Sequence, residues 1–110
     1  MSDRDGALIV ALVGDLMDQT RLIGAIPKLE VVTSAADVAG AEIVVVDLAR
    51  HADAVGAVRR NAPSAWIVAY GAHVDSDALA AARAAGADHV LPRSRFFQDP
   101  AAAVTRPPDQ

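Results

Sequence analysis

The chain has no cysteine, which excludes disulfides, thiolate metal sites and a cysteine nucleophile, and leaves the redox compartment open. Aromatic residues are scarce: one Trp, one Tyr and two Phe, 4% of 110 residues. A chain so poor in flat rings has almost no platform on which bases could stack. The 14 acidic against 10 basic residues give a net charge of −4, which opposes loose association with nucleic acid. Long hydrophobic runs are missing too. The opening MSDRDGALIV lacks the basic start and long apolar core of a signal peptide. The run over residues 7–13 falls far short of the roughly 20 residues that cross a bilayer. The expectation is a soluble cytoplasmic protein with neither a membrane nor a nucleic-acid partner. No GxGxxG or P-loop occurs, and no Ser-His-Asp spacing recommends a hydrolase, so an enzyme is not expected.

What is present is aliphatic. Hydrophobic residues make up 53% of the chain, and alanine supplies much of that, so Val, Ile and Leu must provide the bulk of any core. The most informative stretch is AEIVVVDL at 41–48, a β-branched run that stops at the carboxylate of Asp47. It shows no alternation, so it reads as a strand covered on both faces, as in a parallel sheet. Sites in open parallel sheets lie past the carboxyl ends of the strands, which is where Asp47 falls.

Similar apolar runs occur at 7–13, 29–33, 66–70 and 89–91. Between them lie helical stretches. Residues 16–26 carry Leu16, Leu22, Ile23 and Ile26 on one side and stop at Pro27. A short helix follows a capping-box-like start at 34–37 and ends at Gly40. A third helix occupies about 51–62, with Arg59 and Arg60 near its negative end. A fourth, at 77–85, is capped by Asp75 or Ser76 and stopped by Gly86. A last, truncated helix covers 96–104 with Pro100 in its first turn, and TRPPDQ at 105–110 reads as a disordered tail. One domain over 1–104 results. Five β-α repeats with right-handed crossovers predict a flavodoxin-like, doubly wound five-stranded parallel sheet of order 2-1-3-4-5, with a short second helix.

That order brings Gly14 and Asp15, Asp47, Gly71 to His73, and Pro92 to Arg95 to one edge. Two carboxylates close together repel unless a cation lies between them, and Mg²⁺ suits such a pair. An ionised aspartate beside a metal can also accept a phosphoryl group. A strand-five cation could hold the phosphoryl oxygens.

These segments resemble the receiver domain of bacterial response regulators over about residues 7–98. VVVDLA resembles the phosphoacceptor strand and places Asp47 at the acceptor. VGDLMDQTRLI resembles the acidic segment after the first strand, with Asp15 as the second acid and Gly14 where the first would stand. AGADHVLPR resembles the fifth-strand segment, whose phosphate-binding lysine falls on Arg93. The resemblance implies Asp47 as phosphoacceptor, Arg93 as phosphate-binding cation, and Asp15 and Asp47 as ligands of Mg²⁺. It also has departures. The strand-four hydroxyl residue falls on Gly71, the switch aromatic on Val90, and the proline after the lysine on Ser94. Arginine is not equivalent to lysine at a tight phosphate site.

Two functions follow. One is a stand-alone receiver in a two-component phosphorelay, with a histidine kinase or other signalling protein as partner and output by protein–protein contact. The other is a pseudo-receiver that works without phosphorylation. A small-ligand enzyme on the same sheet would require a bound nucleotide or flavin. Local readings stand beside these. Asp15 reads equally as an N-cap, Arg93 as a salt-bridge partner of Asp47, Asp18 as solvated, His73 as a loop histidine, and Trp66 and Tyr70 as core. Phe96-Phe97 reads as a partly exposed contact, which with the helix over 77–85 and the strand over 89–91 would form a homodimer face.

Overall fold

Strict period-two sorting of aliphatic side chains divides the core into two layers. A computed structural model describes residues 8–107. Strands β1 (Ile9–Leu12), β2 (Glu30–Val32), β3 (Ile43–Asp47), β4 (Trp66–Gly71) and β5 (His89–Pro92) form one all-parallel sheet of order β2-β1-β3-β4-β5. This is the flavodoxin-like order expected from the sequence. The central strands β1 and β3 are buried along their whole length, as an unalternating apolar run requires.

Val10, Leu12, Val44, Val46, Ile67 and Ala69 face one layer, where they meet Val55, Val58, Leu79 and Ala82. Ile9, Ala11, Val13, Val45, Val68 and Tyr70 face the other, where they meet Leu22, Ile26, Phe96 and Val104. Helices α1 (Leu16–Ala25), α5 (Arg93–Gln98) and α6 (Pro100–Ala103) supply the second layer. The first is covered by α2 (Leu48–His51), α3 (Val55–Asn61) and α4 (Ser76–Ala85).

Several boundaries differ from the expectation. The short helix after β2 is a 3-10 turn over Ala35–Val38 with Ser34 as its cap. The helix placed at 51–62 starts at Leu48 and passes through a 3-10 turn, Ala52–Ala54, before α3. The last helix is two helices, because Asp99 leaves helical geometry and caps Ala102 N with Pro100 opening α6. The tail is anchored where it begins: Thr105 donates to Ala101 O and Arg106 to Ser64 O, while residues 108–110 lie outside the described part.

Arg59 does more than oppose a helix dipole. Its guanidinium donates to the carbonyls of Pro63, Ala65 and Gly86 and pairs with Asp88 at 2.6 Å, tying α3 to the α4–β5 turn. Gly86, at φ 121°, sits in the left-handed region against the Arg59 stem, so any side chain there would be strained. Among the described residues no helix is long and apolar enough to cross a membrane.

Candidate functional site

The carboxyl ends of β1, β3, β4 and β5 carry the candidate residues, as the strand order dictates. Asp15 follows β1 and caps α1, accepting from Met17 N at 2.8 Å and Asp18 N at 3.1 Å. Asp47 ends β3 and caps α2, accepting from Ala49 N at 2.9 Å, and is only 2% exposed. Both aspartates therefore satisfy free amides at helix starts, as Asp does well. Asp47 lies beside Tyr70 in the sheet register.

Arg93 opens α5 and does not pair with Asp47. Its two terminal nitrogens form a fork onto both oxygens of Asp18. Asp18, expected to be solvated, is 1% exposed and is one of the two buried charged side chains in the described residues. Tyr70 completes the arrangement by donating its hydroxyl to Asp18 Oδ2 at 2.9 Å. The Arg93 hydrogen bonds hold the Asp18 carboxyl below its ordinary value, against the opposing pull of burial. Burial first, and then the negative charge of Asp47, push the Tyr70 hydroxyl well above its ordinary value, so it stays a donor. The Asp18 carboxylate raises Arg93, which remains a cation throughout.

A signal for this was present in the sequence. Asp18, Leu22 and Ile26 recur every four residues, and all three are buried, whereas Leu16 is 75% exposed. A carboxylate on the buried stripe of a helix needs a cationic partner.

Each of the two glycines at the rim has a neighbouring side chain where its own would begin, an exposed arginine stem at Gly14 and a buried leucine at Gly71. A Cβ on Gly14, where the resemblance would put an acid, would lie 2.7 Å from Arg50 Cδ. A Cβ on Gly71 would lie 3.2 Å from Leu48 Cβ and 3.4 Å from Leu48 Cδ1, so the first residue of α2 takes the room a hydroxyl side chain would need. Gly71→Ser should therefore overpack the β4 end and lower stability by about 1 kcal/mol, read as a reduced urea midpoint. An unchanged midpoint would mean that Leu48 moves aside without cost.

Asp15 and Asp47, the two residues that would hold Mg²⁺, each bond helix amides through Oδ1 alone, while the place of the first acid is a glycine with the Arg50 stem beside it. Among the described residues no three His, Asp or Glu side chains group to hold a metal. His73 is exposed in the β4–α4 loop, as expected of a loop histidine.

Of the pair expected to be partly exposed, Phe96 is instead fully buried and Phe97 is half-buried. Phe96 stacks on Tyr70 with centroids 4.6 Å apart, and Phe97 meets both rings edge-on at 5.2 and 5.0 Å. Sequence reasoning left Tyr70 as plain core. It is also the link between the aromatic cluster and Asp18.

No protein-family model matches the chain, and no curated protein does. Solved structures do. A CheY-like protein, TadZ, of Pseudomonas aeruginosa is 18% identical with a TM-score of 0.69, covering 88% of this chain and 95% of its own. A response regulator of Burkholderia pseudomallei, solved with a phosphorylated aspartic acid, calcium ion and citrate, is 16% identical with a TM-score of 0.66, covering 92% and 67%. A putative pilus assembly protein, CpaE, of Burkholderia thailandensis is 21% identical with a TM-score of 0.57, covering 86% and 93%. Identities this low speak to architecture, and the architecture of this chain is that of a response-regulator receiver domain.

Proposed function

We propose that the chain is a cytoplasmic, receiver-fold signalling module that acts through protein–protein contact and does not depend on an aspartyl phosphate. The carrying observation is the commitment of Arg93 to Asp18. A cation held in a fork by a buried carboxylate is not free to follow a phosphoryl group on Asp47. Gly14 and Gly71 support the same reading, since each lacks a side chain that metal binding or hydroxyl coupling would use. Partners are proteins. Solved structures of this fold include ones named as response regulators and as pilus assembly proteins, so a signalling or assembly component suits the module as well as a histidine kinase does. A homodimer through α4, β5 and the Phe97 edge is a further form such contact could take.

The competing reading keeps Asp47 as phosphoacceptor with Mg²⁺. It draws support from the place of Asp47 at the carboxyl end of β3, beside Tyr70. Incubation with acetyl phosphate and Mg²⁺, followed by intact-mass measurement, separates the two. The expected result is no added phosphoryl mass. A single phosphoryl adduct that is lost in Asp47→Asn would overturn the phosphorylation-independent reading.

A further inference from the structure

The surface between α1 and α5 carries two cations on a chain of net negative charge. Arg21, Arg93, Ser94, Phe97 and Gln98 line a cleft of about 420 Å³, and none of them is acidic. The guanidinium carbons of Arg21 and Arg93 lie 4.8 and 4.9 Å from the centroid of the same Phe97 ring. Cation–π contact of this kind holds a guanidinium in place while leaving its in-plane N–H groups free to bond. Arg93 spends its terminal nitrogens on Asp18. Arg21 has no ion-pair partner among the described residues. It is therefore a pre-positioned, planar donor set with no acceptor, one helical turn from the buried Asp18–Arg93 pair.

From this geometry we infer that the cleft binds an acidic segment of a partner protein, with one carboxylate taken bidentately by Arg21 and the adjoining chain lying on Phe97. Charge complementarity selects that occupant. A net charge of −4 makes the molecule as a whole repel acidic peptides, so a cleft lined only by cationic, neutral polar and aromatic groups is where one can dock. A guanidinium fork matches a carboxylate in shape as well as charge. Ser94 and Gln98 add neutral donors at the rim. The inference rests on the interaction reading proposed above and gives that interaction a surface and a chemistry.

The test is an amide chemical-shift titration of the full chain with hexaglutamate, repeated with inorganic phosphate. The expected result is saturable shifts centred on Arg21, Ser94, Phe97 and Gln98, weakened at least several-fold by 0.5 M NaCl. Arg21→Gln should weaken binding about tenfold, because it removes the guanidinium fork, while the exposed position of Arg21 leaves the buried core intact. Arg50→Gln, at the other cation of the rim, should leave binding unchanged. Shifts centred on Arg50 and His51, equal affinity for Arg21→Gln, or binding of phosphate but not of hexaglutamate would each overturn the inference. Each of these leaves the acetyl phosphate result untouched, so the cleft can fail while the phosphorylation-independent reading stands. Conversely, Asp47 labelling alongside Arg21-dependent hexaglutamate binding would remove that reading and leave the cleft in place.

Discussion

Arg93→Met lowers the unfolding free energy at pH 7 by about 2 kcal/mol, and the loss shrinks as the solution is made acidic. Breaking a buried ion pair by removing one partner costs about 3–5 kcal/mol when the remaining charge is stranded. Asp18 is stranded by this change, being 1% exposed on its side chain, whereas Arg93 is 46% exposed. Water can therefore enter where the guanidinium was, which discounts the cost towards the lower figure. The pH dependence follows from the direction of the Asp18 shift. Its folded value lies below the unfolded one, mainly because of the Arg93 bonds. In the native protein this stabilisation is complete above about pH 4 and is lost as pH falls through the folded value. In the variant the largest lowering cause, the Arg93 bonds, is gone, while burial still raises the carboxyl and the Tyr70 hydrogen bond and the Arg21 charge still lower it, so acidification costs the variant less stability than it costs the parent. The two stability curves should converge below about pH 4. Urea unfolding at pH 7, 5 and 3 reads the difference directly. Asp18→Asn makes the complementary comparison: it removes the buried charge, leaves Arg93 half in water, and should cost less at pH 7 than Arg93→Met. Equal stability of Arg93→Met and the parent at pH 7 would show that the pair does not form in solution, and the main argument for a committed Arg93 would go with it.

The parts of the molecule legible in the sequence were those governed by short-range periodicity. Unalternating apolar runs announced the buried strands, and the intervening helical lengths pointed to parallel pairing, for which the flavodoxin-like order β2-β1-β3-β4-β5 was the natural choice. Caps were legible as well: Asp15, Ser34 and Asp75 each hold the amides their positions predict. Less legible was anything set by contacts distant along the chain. Arg93 and Asp18 are 75 positions apart, and the choice of Asp18 over Asp47 depends on which carboxylate α1 turns inward. The four-residue spacing of Asp18, Leu22 and Ile26 held that information. It was obscured by Leu16 and Ile23, apolar residues that the helix leaves at 75% and 44% exposure. The covering of Gly71 by Leu48 and of Gly14 by Arg50 had no sequence signal, because both depend on α2 beginning immediately after Asp47. The division of the last helix did have one. Asp99-Pro100 is a cap followed by a first-turn proline, which starts a helix more readily than it continues one.

Phe96→Ala removes about 3–5 kcal/mol, the usual cost of emptying a large aromatic site in a core. A domain of this size has a total of about 5–15 kcal/mol, so the variant retains only a narrow margin. Phe96 carries this weight because it and Tyr70 are the two largest fully buried side chains among the described residues. The Phe96 ring, 0% exposed, lies in the second core layer with Tyr70, Leu22, Ile26 and Val104. It stacks on Tyr70 at an interplanar angle of 14°, so it also fixes the ring whose hydroxyl reaches Asp18. Truncation should loosen the tyrosine together with the core, visible as a reduced near-ultraviolet dichroism from the single Tyr before global unfolding. Phe97→Ala is the control. That ring is half-buried and meets its neighbours edge-on, so its loss should cost only about 1–2 kcal/mol while releasing Arg21 and Arg93 from their shared platform. Phe96→Leu should recover most of the stability, since it restores volume without the stack. If Phe96→Ala and Phe97→Ala prove equally costly, the burial assigned to Phe96 is wrong. The link from α5 through Tyr70 to Asp18 would then have to be made by the Arg93 fork alone.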